Sequence, residues 1–439
     1  MNGIRIPLKK LADIKHGYAF KGEFFTNEQH ETVLVTPGNF SIGGGFQADK
    51  LKYYDGPYDD DYVLSPNDLI VTMTDLSKMG DTLGYPAFIP DDQYIYLHNQ
   101  RIGKVLLKND NLDKLYLYYV LRSRSYRNFI LGSATGSTVK HTSPARILNF
   151  EIWLPAVKQQ KTIAQILWNL DQKIELNRQM NETLEQMAQA VFQDWFVDFG
   201  PVKRKLEGIN DPVAILGGLI PDPVKAQEIA SFFPDQFAEN GLPRGWAQSK
   251  LRYEFNVTMG QSPPGSTYNE INEGLPFFQG RRDFGFRFPE NRVYCNNPLR
   301  IAEKDWTLIS VRAPVGDINR SHEKSCIGRG VGSFIHKSGL ASYTYYYALA
   351  LKRIFEKYDS NGTVFGSISK NQLEDIDVLA PDPSIVQTFD NLVTGVDQLI
   401  LNNTDQNQTL AEMRDLLLPK LMSGEISVDD LEKKMVDVL

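Results

Sequence analysis

The chain has 439 residues and a mass of 49.8 kDa, enough for two to three domains. Apolar residues make up 42% and charged residues 23%, which excludes a mostly disordered chain. Its two cysteines, Cys295 and Cys326, exclude a disulfide framework or a four-cysteine zinc site, and a net charge of −7 argues at first against a polyanion partner.

The elements follow in chain order. The N-terminus, MNGIRIPLKKLADIKHG, has no apolar core of a secretory leader, and the longest weakly polar stretch, Leu340 to Leu351, is far short of the roughly 20 residues of a membrane span. A cytoplasmic protein is the expectation. Residues 1–154 read as a globular half with strands at Glu31–Pro37, Asp68–Thr74, Tyr94–His98 and Arg101–Leu107 and a Tyr-rich helix at Lys114–Arg122. Residues 155–199 read as one long helix opened by Pro155. Residues 200–245, rich in Pro and Gly, read as an irregular linker wrapping the outside. Residues 246–380 form a second globular half with strands at Asp305–Val311 and Gly330–His336 and a Tyr-rich helix at Tyr343–Ile354. A second long helix, 381–425, opens after Pro381, and an acidic tail, 426–439, follows. The charge is unevenly spread. Residues 1–157 are net neutral, 244–381 carry +4, and 382–439 carry −7, so the global value hides a basic, Arg-rich segment.

The chain repeats itself. Thr135–Phe196 aligns without a gap on Asn361–Met422, an offset of 226. Gly136 matches Gly362, Ser143 matches Ser369 and Pro155 matches Pro381, and eight of the seventeen positions from 171 to 187 are identical in the second copy. Upstream, with gaps, Ile14–Gly17 matches Val257–Gly260, Asn99–Arg101 matches Ile327–Arg329, and Leu117–Tyr119 matches Tyr345–Tyr347. The helices align cleanly while the globular parts diverge, which suggests one shared docking function and two different specificities.

Both helices carry a heptad seam. The first runs Ile163, Leu167, Leu170, Ile174, Asn177, Asn181, Leu184, Ala188, Val191, Trp195. The second runs Phe389, Val393, Val396, Ile400, Asn403, Asn407, Leu410, Arg414, Leu417, Leu421. An antiparallel pair brings the asparagine layers (Asn177, Asn181, Asn403, Asn407) together, where buried Asn costs stability and fixes register. About 39 residues at 1.5 Å rise make a rod of ~58 Å. The expected fold class is therefore α+β: two globular domains separated by a pair of long antiparallel helices (a coiled coil), with a pseudo-twofold internal repeat.

Enzyme signals are poor. Gly328–Gly332 lacks the Gly-Lys-Ser/Thr of a phosphate loop, and His322–Cys326 misses the second histidine of a zinc-protease helix. There is no Asn/Asp-Pro-Pro-Tyr/Phe tetrapeptide, no nuclease-type acid cluster and no histidine triad, so no catalytic residue and no metal ligand is assigned. Nucleic-acid signals are stronger. Gln279, Arg281, Arg282 and Arg287 are interleaved with aromatics on a Gly-flexed loop, and arginine grips guanine edges while glutamine reads adenine. Gln261, Ser262 and Tyr268 sit in a rigid polar loop whose counterpart in the first half holds His16, Tyr18 and Lys21. Lys140 and His141 match the region of Lys370, and Arg101 matches Arg329. For a single residue, solvated surface charge is the plainer reading; as clusters these fifteen residues point to DNA.

Taken together, Met259–Gly265, Val191–Gly200, Leu242–Trp246, Leu417–Ile426 and the Pro-opened repeat helices give a chain that resembles, over essentially its whole length, the specificity subunit of type I restriction–modification systems. The resemblance implies that residues 1–154 and 246–380 are target recognition domains, each reading one part of a split double-stranded DNA sequence. It implies that the two conserved helices hold two modification (methyltransferase) subunits, and that ATP-dependent restriction subunits join the complex. The chain itself would be non-catalytic and bind no cofactor directly, S-adenosylmethionine, Mg and ATP being used by its partners. A coiled-coil scaffold, or an RNA-binding adaptor without DNA sequence specificity, would use the same rod and stays open at this point.

Overall fold

The structure is a computed structural model that describes residues 3–358 and 366–426. The acidic tail from 427 onward and the repeat position Gly362 lie outside the described residues. The chain divides into two compact units, Met1–Asn177 with Asp405–Leu439, and Arg178–Thr404. Each unit holds one globular half and a segment of each long helix.

In the first unit a four-stranded antiparallel sheet has the order Ala12–His16, Ile102–Leu107, Leu69–Thr72, Pro86–Phe88. A five-stranded sheet has the order Phe25–Thr26, Tyr53–Tyr54, Thr32–Val35, Ile95–His98, Val63–Leu64, with one parallel pair, Thr32–Val35 beside Ile95–His98. Ile4–Pro7 closes the half by pairing with Glu151–Leu154, just before the long helix. The second unit repeats this order strand for strand. Its four-stranded sheet is Phe255–Met259, Val331–His336, Thr307–Ser310, Ile318–Arg320. Its five-stranded sheet is Tyr268–Asn269, Tyr294–Cys295, Leu275–Phe278, Ser325–Ile327, Ile301–Ala302, again with one parallel pair. Ala247–Lys250 pairs with Asp377–Ala380 as the closing ribbon. The expected strands are all present, trimmed by one or two residues. Two-residue strands such as Phe25–Thr26 are too short to show periodicity.

The Tyr-rich helices fill the space between sheet and long helices. Lys114–Val120 is capped by Asp113, whose Oδ1 accepts from the Tyr116 amide at 2.9 Å, and buries Tyr116 to Val120. Ala341–Ala350 buries every residue from Ser342 to Ala348, so it reads as apolar on all sides.

The first long helix is Val157–Phe192, continued by a wider turn at Gln193–Val197. The second is Pro383–Ser423, which starts two residues later than its matching proline, Pro381, suggests. No seam residue is exposed. In the first unit the segments run antiparallel: Asp171 meets Arg414 at 2.8 Å and Asn177 Nδ2 donates to Asn407 Oδ1 at 2.9 Å. In the second, Asn403 Nδ2 donates to Asn181 Oδ1 at 2.9 Å, and Asn181 Nδ2 donates to the Ile400 carbonyl at 3.3 Å. With the repeat offset of 226, these are the same pair made twice. No helix among the described residues is long and apolar enough to cross a membrane.

The linker expectation is corrected. Residues 200–245 are not irregular and external. They form helices Gly200–Leu206, Pro212–Ile215 and Pro223–Phe232, and Val202, Leu216, Ala226 and Phe233 are buried with Trp195 and Trp246 in the core of the second unit. The Pro and Gly residues that read as linker are helix starts and stops: Pro201, Pro212 and Pro223 sit in first turns, and Gly208 and Gly217 take positive φ. We predict that Leu216→Ala costs about 2–5 kcal/mol in denaturant unfolding; a loss below about 0.5 kcal/mol, typical of a surface residue, would restore the external linker. We also predict non-additivity at the asparagine layer. Asn403→Leu alone strips Asn181 Oδ1 of its donor and costs about 1–3 kcal/mol, while Asn181→Leu with Asn403→Leu recovers most of that loss. Additive losses in the double-mutant cycle would show that the two side chains are not coupled.

Candidate nucleic-acid interface

One end of each four-stranded sheet gathers the predicted polar residues into a rim. In the first unit three strands reach this end at His16, Ile102 and Thr72. The Tyr18 amide donates to the His98 carbonyl at 2.8 Å and the Tyr18 carbonyl accepts from Gln100 at 3.0 Å. Met73 donates to the Arg101 carbonyl at 2.9 Å, Thr142 donates to the Met73 carbonyl at 2.9 Å, and Thr74–Asp75 pairs with Lys140–His141. The backbone thus sets Tyr18, Arg101, Thr74, His141 and Lys140 side by side. Gly17 makes this approach possible: a Cβ there would lie 2.2 Å from the His98 carbonyl oxygen. His16, Tyr18, Arg101 and His141 are exposed, and His141 Nδ1 lies 3.2 Å from Thr74 Oγ1. Lys21 stands further along the chain and pairs with Glu23 at 3.6 Å.

The second unit rebuilds the rim with different side chains. Gly260 replaces Gly17, and its Cβ would lie 2.1 Å from the Gly328 carbonyl oxygen. Gln261 donates its amide to Ile327 at 3.0 Å, and the Ser262 hydroxyl accepts from the Arg329 amide at 3.1 Å. Val311 donates to the Gly330 carbonyl, Ile368 donates to the Val311 carbonyl, and Arg312 pairs with Ser367. Arg312 and Arg329 are exposed and, with Gly366 to Ser369 and Gln372, line a cleft of about 500 Å³. Arg312, which takes the place of Thr74, was missed by sequence reasoning. The available signal was a cation directly after a buried strand. The same backbone bonds set Arg101 at the place of Gly330 and Gln100 at the place of Arg329, so the expected match of Arg101 with Arg329 is corrected by one residue: the sequences there diverge too far to fix the register. Lys370 begins the next helix and pairs with Glu374 at 3.5 Å. Gln279 and the exposed Arg282 follow the strand beside Arg329, and Arg281 is held by Asp317 at 2.8 Å. Tyr268 is half-buried, donating to the Pro263 carbonyl at 2.6 Å with its ring 4.6 Å from Phe277, so it braces the Gln261–Gly265 loop.

Arg287 is a correction. It is not on the rim but 1% exposed in the core of the second unit. Its guanidinium pairs with Glu185 and Asp397 on the two long helices, donates to Tyr346 at 3.0 Å and lies 4.2 Å from the Tyr345 ring. Arg320 pairs with the other oxygen of Asp397, and Ser342 donates to it at 2.5 Å. Asp397 matches Asp171 in the repeat. Asp171 is gripped by Arg122, by Arg414 at 2.8 Å and by Tyr119 at 2.7 Å. Burial opposes ionisation of Asp171, but Arg122 and the hydrogen bonds from Arg122, Arg414 and Tyr119 outweigh it and hold the carboxyl below the usual range. At Glu185 burial wins, and the carboxyl stays above its usual range despite Arg287. An aromatic-flanked arginine looks the same in sequence whether it faces DNA or a buried carboxylate.

The structure is thus a repeated α+β module that carries one polar rim per copy. The family model for the type I restriction modification DNA specificity domain matches residues 6–186 and 245–410, and the chain belongs to that family. It is 28% identical over 357 residues to a putative type I restriction enzyme MjaX specificity subunit of Methanocaldococcus jannaschii, covering 80% of this chain and 76% of that protein. It is 26% identical to the HindI specificity subunit of Haemophilus influenzae, over 69% of this chain and 74% of that one. Its fold is similar to the crystal structure of a type I S subunit from M. genitalium, with a TM-score of 0.58 and 17% identity over 96% of each chain. The chain is thus a specificity subunit, a non-catalytic role with DNA-recognition domains.

Core and rim arginines separate experimentally. Arg287→Ala leaves Glu185 and Asp397 buried with fewer partners and should cost about 3–5 kcal/mol of stability. Arg329→Ala should stay within about 0.5 kcal/mol of the parent and weaken duplex binding by the chain. Urea unfolding and binding titration check both, and a stable Arg287→Ala variant would refute the core assignment.

Proposed function

We propose that this chain recognises a bipartite, asymmetric double-stranded DNA sequence, one part with each unit, and directs adenine-methyltransferase and restriction subunits to it. One observation carries the reading: the same backbone rim is built twice and dressed differently, with Tyr18, Arg101, Thr74 and Lys140 in one unit and Gln261, Arg329 and Arg312 in the other. Conserved geometry with changed side chains is what two readers of different base sequences require, because hydrogen bonds to base edges specify sequence while the scaffold only positions them.

The duplicated helices support two identical partners. Met187 in the second unit and Met413 in the first occupy equivalent repeat positions and are 60% and 47% exposed. An exposed apolar side chain made twice at one helical position suits a modification subunit bound twice. S-adenosylmethionine, Mg and ATP belong to those partners in this reading. Methylation takes the adenine out of the stack into a partner's pocket, so this chain supplies position and not chemistry.

The test is a methylome map of cells expressing the chain with its modification subunit, against cells lacking only this chain. The expected result is a two-part adenine-methylated motif that disappears with the chain. In an Arg329→Ala strain, only one part of the motif should relax. Methylation that persists unchanged without the chain would overturn the reading in favour of a scaffold or RNA-binding adaptor.

A further inference from the structure

The two rims differ in one respect that side-chain identity alone does not cover. Where the second unit leaves the rim strand by the tight turn Ala313-Pro314-Val315-Gly316, the first inserts a longer loop between Asp75 and Leu83. This loop is pinned from within. Asp75 is buried, and its Oδ1 accepts from the Ser77 amide at 2.6 Å. Its Oδ2 accepts from the Thr82 hydroxyl at 2.6 Å and from the Thr82 amide. Ser77 Oγ accepts from the Asp81 amide at 2.8 Å. From outside the loop, Arg127 donates one nitrogen to the Gly80 carbonyl and another to the Leu83 carbonyl. Leu83 is fully buried, and Gly80 holds a φ of +71° with Lys140 against it.

The tip of this fixed loop is apolar and faces solvent. Leu76 is 66% exposed and Met79 is 76% exposed, among the most exposed large apolar side chains in the unit. Lys78 lies between them, and Lys140 stands at the base of the loop, paired across from Asp75. The pins seat Leu83 in the core, but the two apolar side chains they hold in water, Leu76 and Met79, add nothing to it. A rigid tip with two exposed apolar side chains, with Lys78 and Lys140 near it and Asp81 on its far side in the chain, lies on the rim that carries Tyr18, Arg101 and His141, and has the chemistry of a wedge for stacked bases: the cations meet phosphates and the apolar side chains enter between base pairs.

We propose that the Leu76–Met79 tip is such a wedge, inserting at one base step of the half-site read by the first unit and unstacking it. At the equivalent place the second unit has only the tight turn Ala313–Gly316, so the distortion at this position is one-sided. This rests on the reading of the first unit as a DNA-binding half. The wedge makes that half-site sensitive to the deformability of a step as well as to base edges, with pyrimidine–purine steps preferred there.

The test uses the full chain in complex with its modification subunits and a duplex carrying its methylated motif. 2-Aminopurine is walked through both half-sites. The expected result is a fluorescence rise at one step of one half-site, away from the methylated adenine, which vanishes in the Leu76→Ser, Met79→Ser double variant. That variant should bind the intact duplex about tenfold or more weakly. An abasic site at the same step, which removes the unstacking cost, should bring it back to within about threefold of the parent. A complex that discriminates its motif but shows no rise, or whose rise or affinity is unchanged by the double substitution, overturns the wedge and leaves DNA reading intact. A complex that binds motif and scrambled duplexes alike overturns both.

Discussion

The arrangement depends on a paired carboxylate at one repeated helix position, Asp171, half-buried, in the first unit and Asp397, buried, in the second. Each is the point where a globular half is locked to the helix pair. Arg122 and Tyr119 reach Asp171 from the first globular half and Arg414 reaches it from the opposite helix. Arg287, Arg320, Tyr346 and Ser342 converge on Asp397. Such a node adds little stability over an apolar core of equal volume, because desolvating the charges costs nearly what their attraction returns. It does impose geometry. A guanidinium offers donors in a fixed plane, so a head held on a helix carboxylate through arginine has a defined orientation on its helices. For a protein whose task is to present polar side chains to a duplex, orientation matters more than net stability.

The same constraint explains which parts diverged. The asparagine layers and the two node aspartates are repeated residue for residue and the seam is repeated in its apolar pattern, while the rims share only backbone hydrogen bonds and one glycine each. Gly17 and Gly260 have no room for a side chain against the carbonyls beside them. Side chains outward of those glycines can vary, because the rim is fastened mainly through the backbone, with local braces such as Ser262 on the Arg329 amide added to it. Variation in what is read then leaves the way the chain is assembled untouched.

Much of this was legible in the sequence because duplication supplies an internal comparison. The offset of 226 aligned Asn177 with Asn403 and Asn181 with Asn407, and an antiparallel pairing of equivalent layers followed from it. Tyr18, His141 and Gln261 were singled out through polar loops and lie on the rim, whereas the match of Arg101 with Arg329 was one residue out of register. Two readings failed for one shared reason: composition does not report burial. Pro212, Pro223 and Gly217 looked like linker punctuation and are helix punctuation. Arg287 looked like a DNA contact, yet its carboxylate partners lie about a hundred residues away in sequence, at Glu185 and Asp397. Arg312 was passed over because it stands alone, whereas Arg281 and Arg282 drew attention as a pair; Arg281 stays largely exposed and pairs with Asp317 at 2.8 Å.

The asymmetry between the rims bears on how an acidic chain reads DNA at all. The first globular half is net neutral and the second carries the Arg-rich excess, so long-range attraction to phosphate favours the second. In the first, local placement substitutes for net charge: Lys78, Lys140 and Arg101 lie at the rim, while acidic residues such as Asp75 and Asp171 are buried or paired within the fold. A half with weaker electrostatic attraction gains most from contacts that do not rely on charge, and it is this half that holds an apolar tip out toward solvent on a pinned loop. In the proposed reading the two units use one scaffold with different balances of the same forces, cations and base-edge donors in one, shape and stacking added in the other.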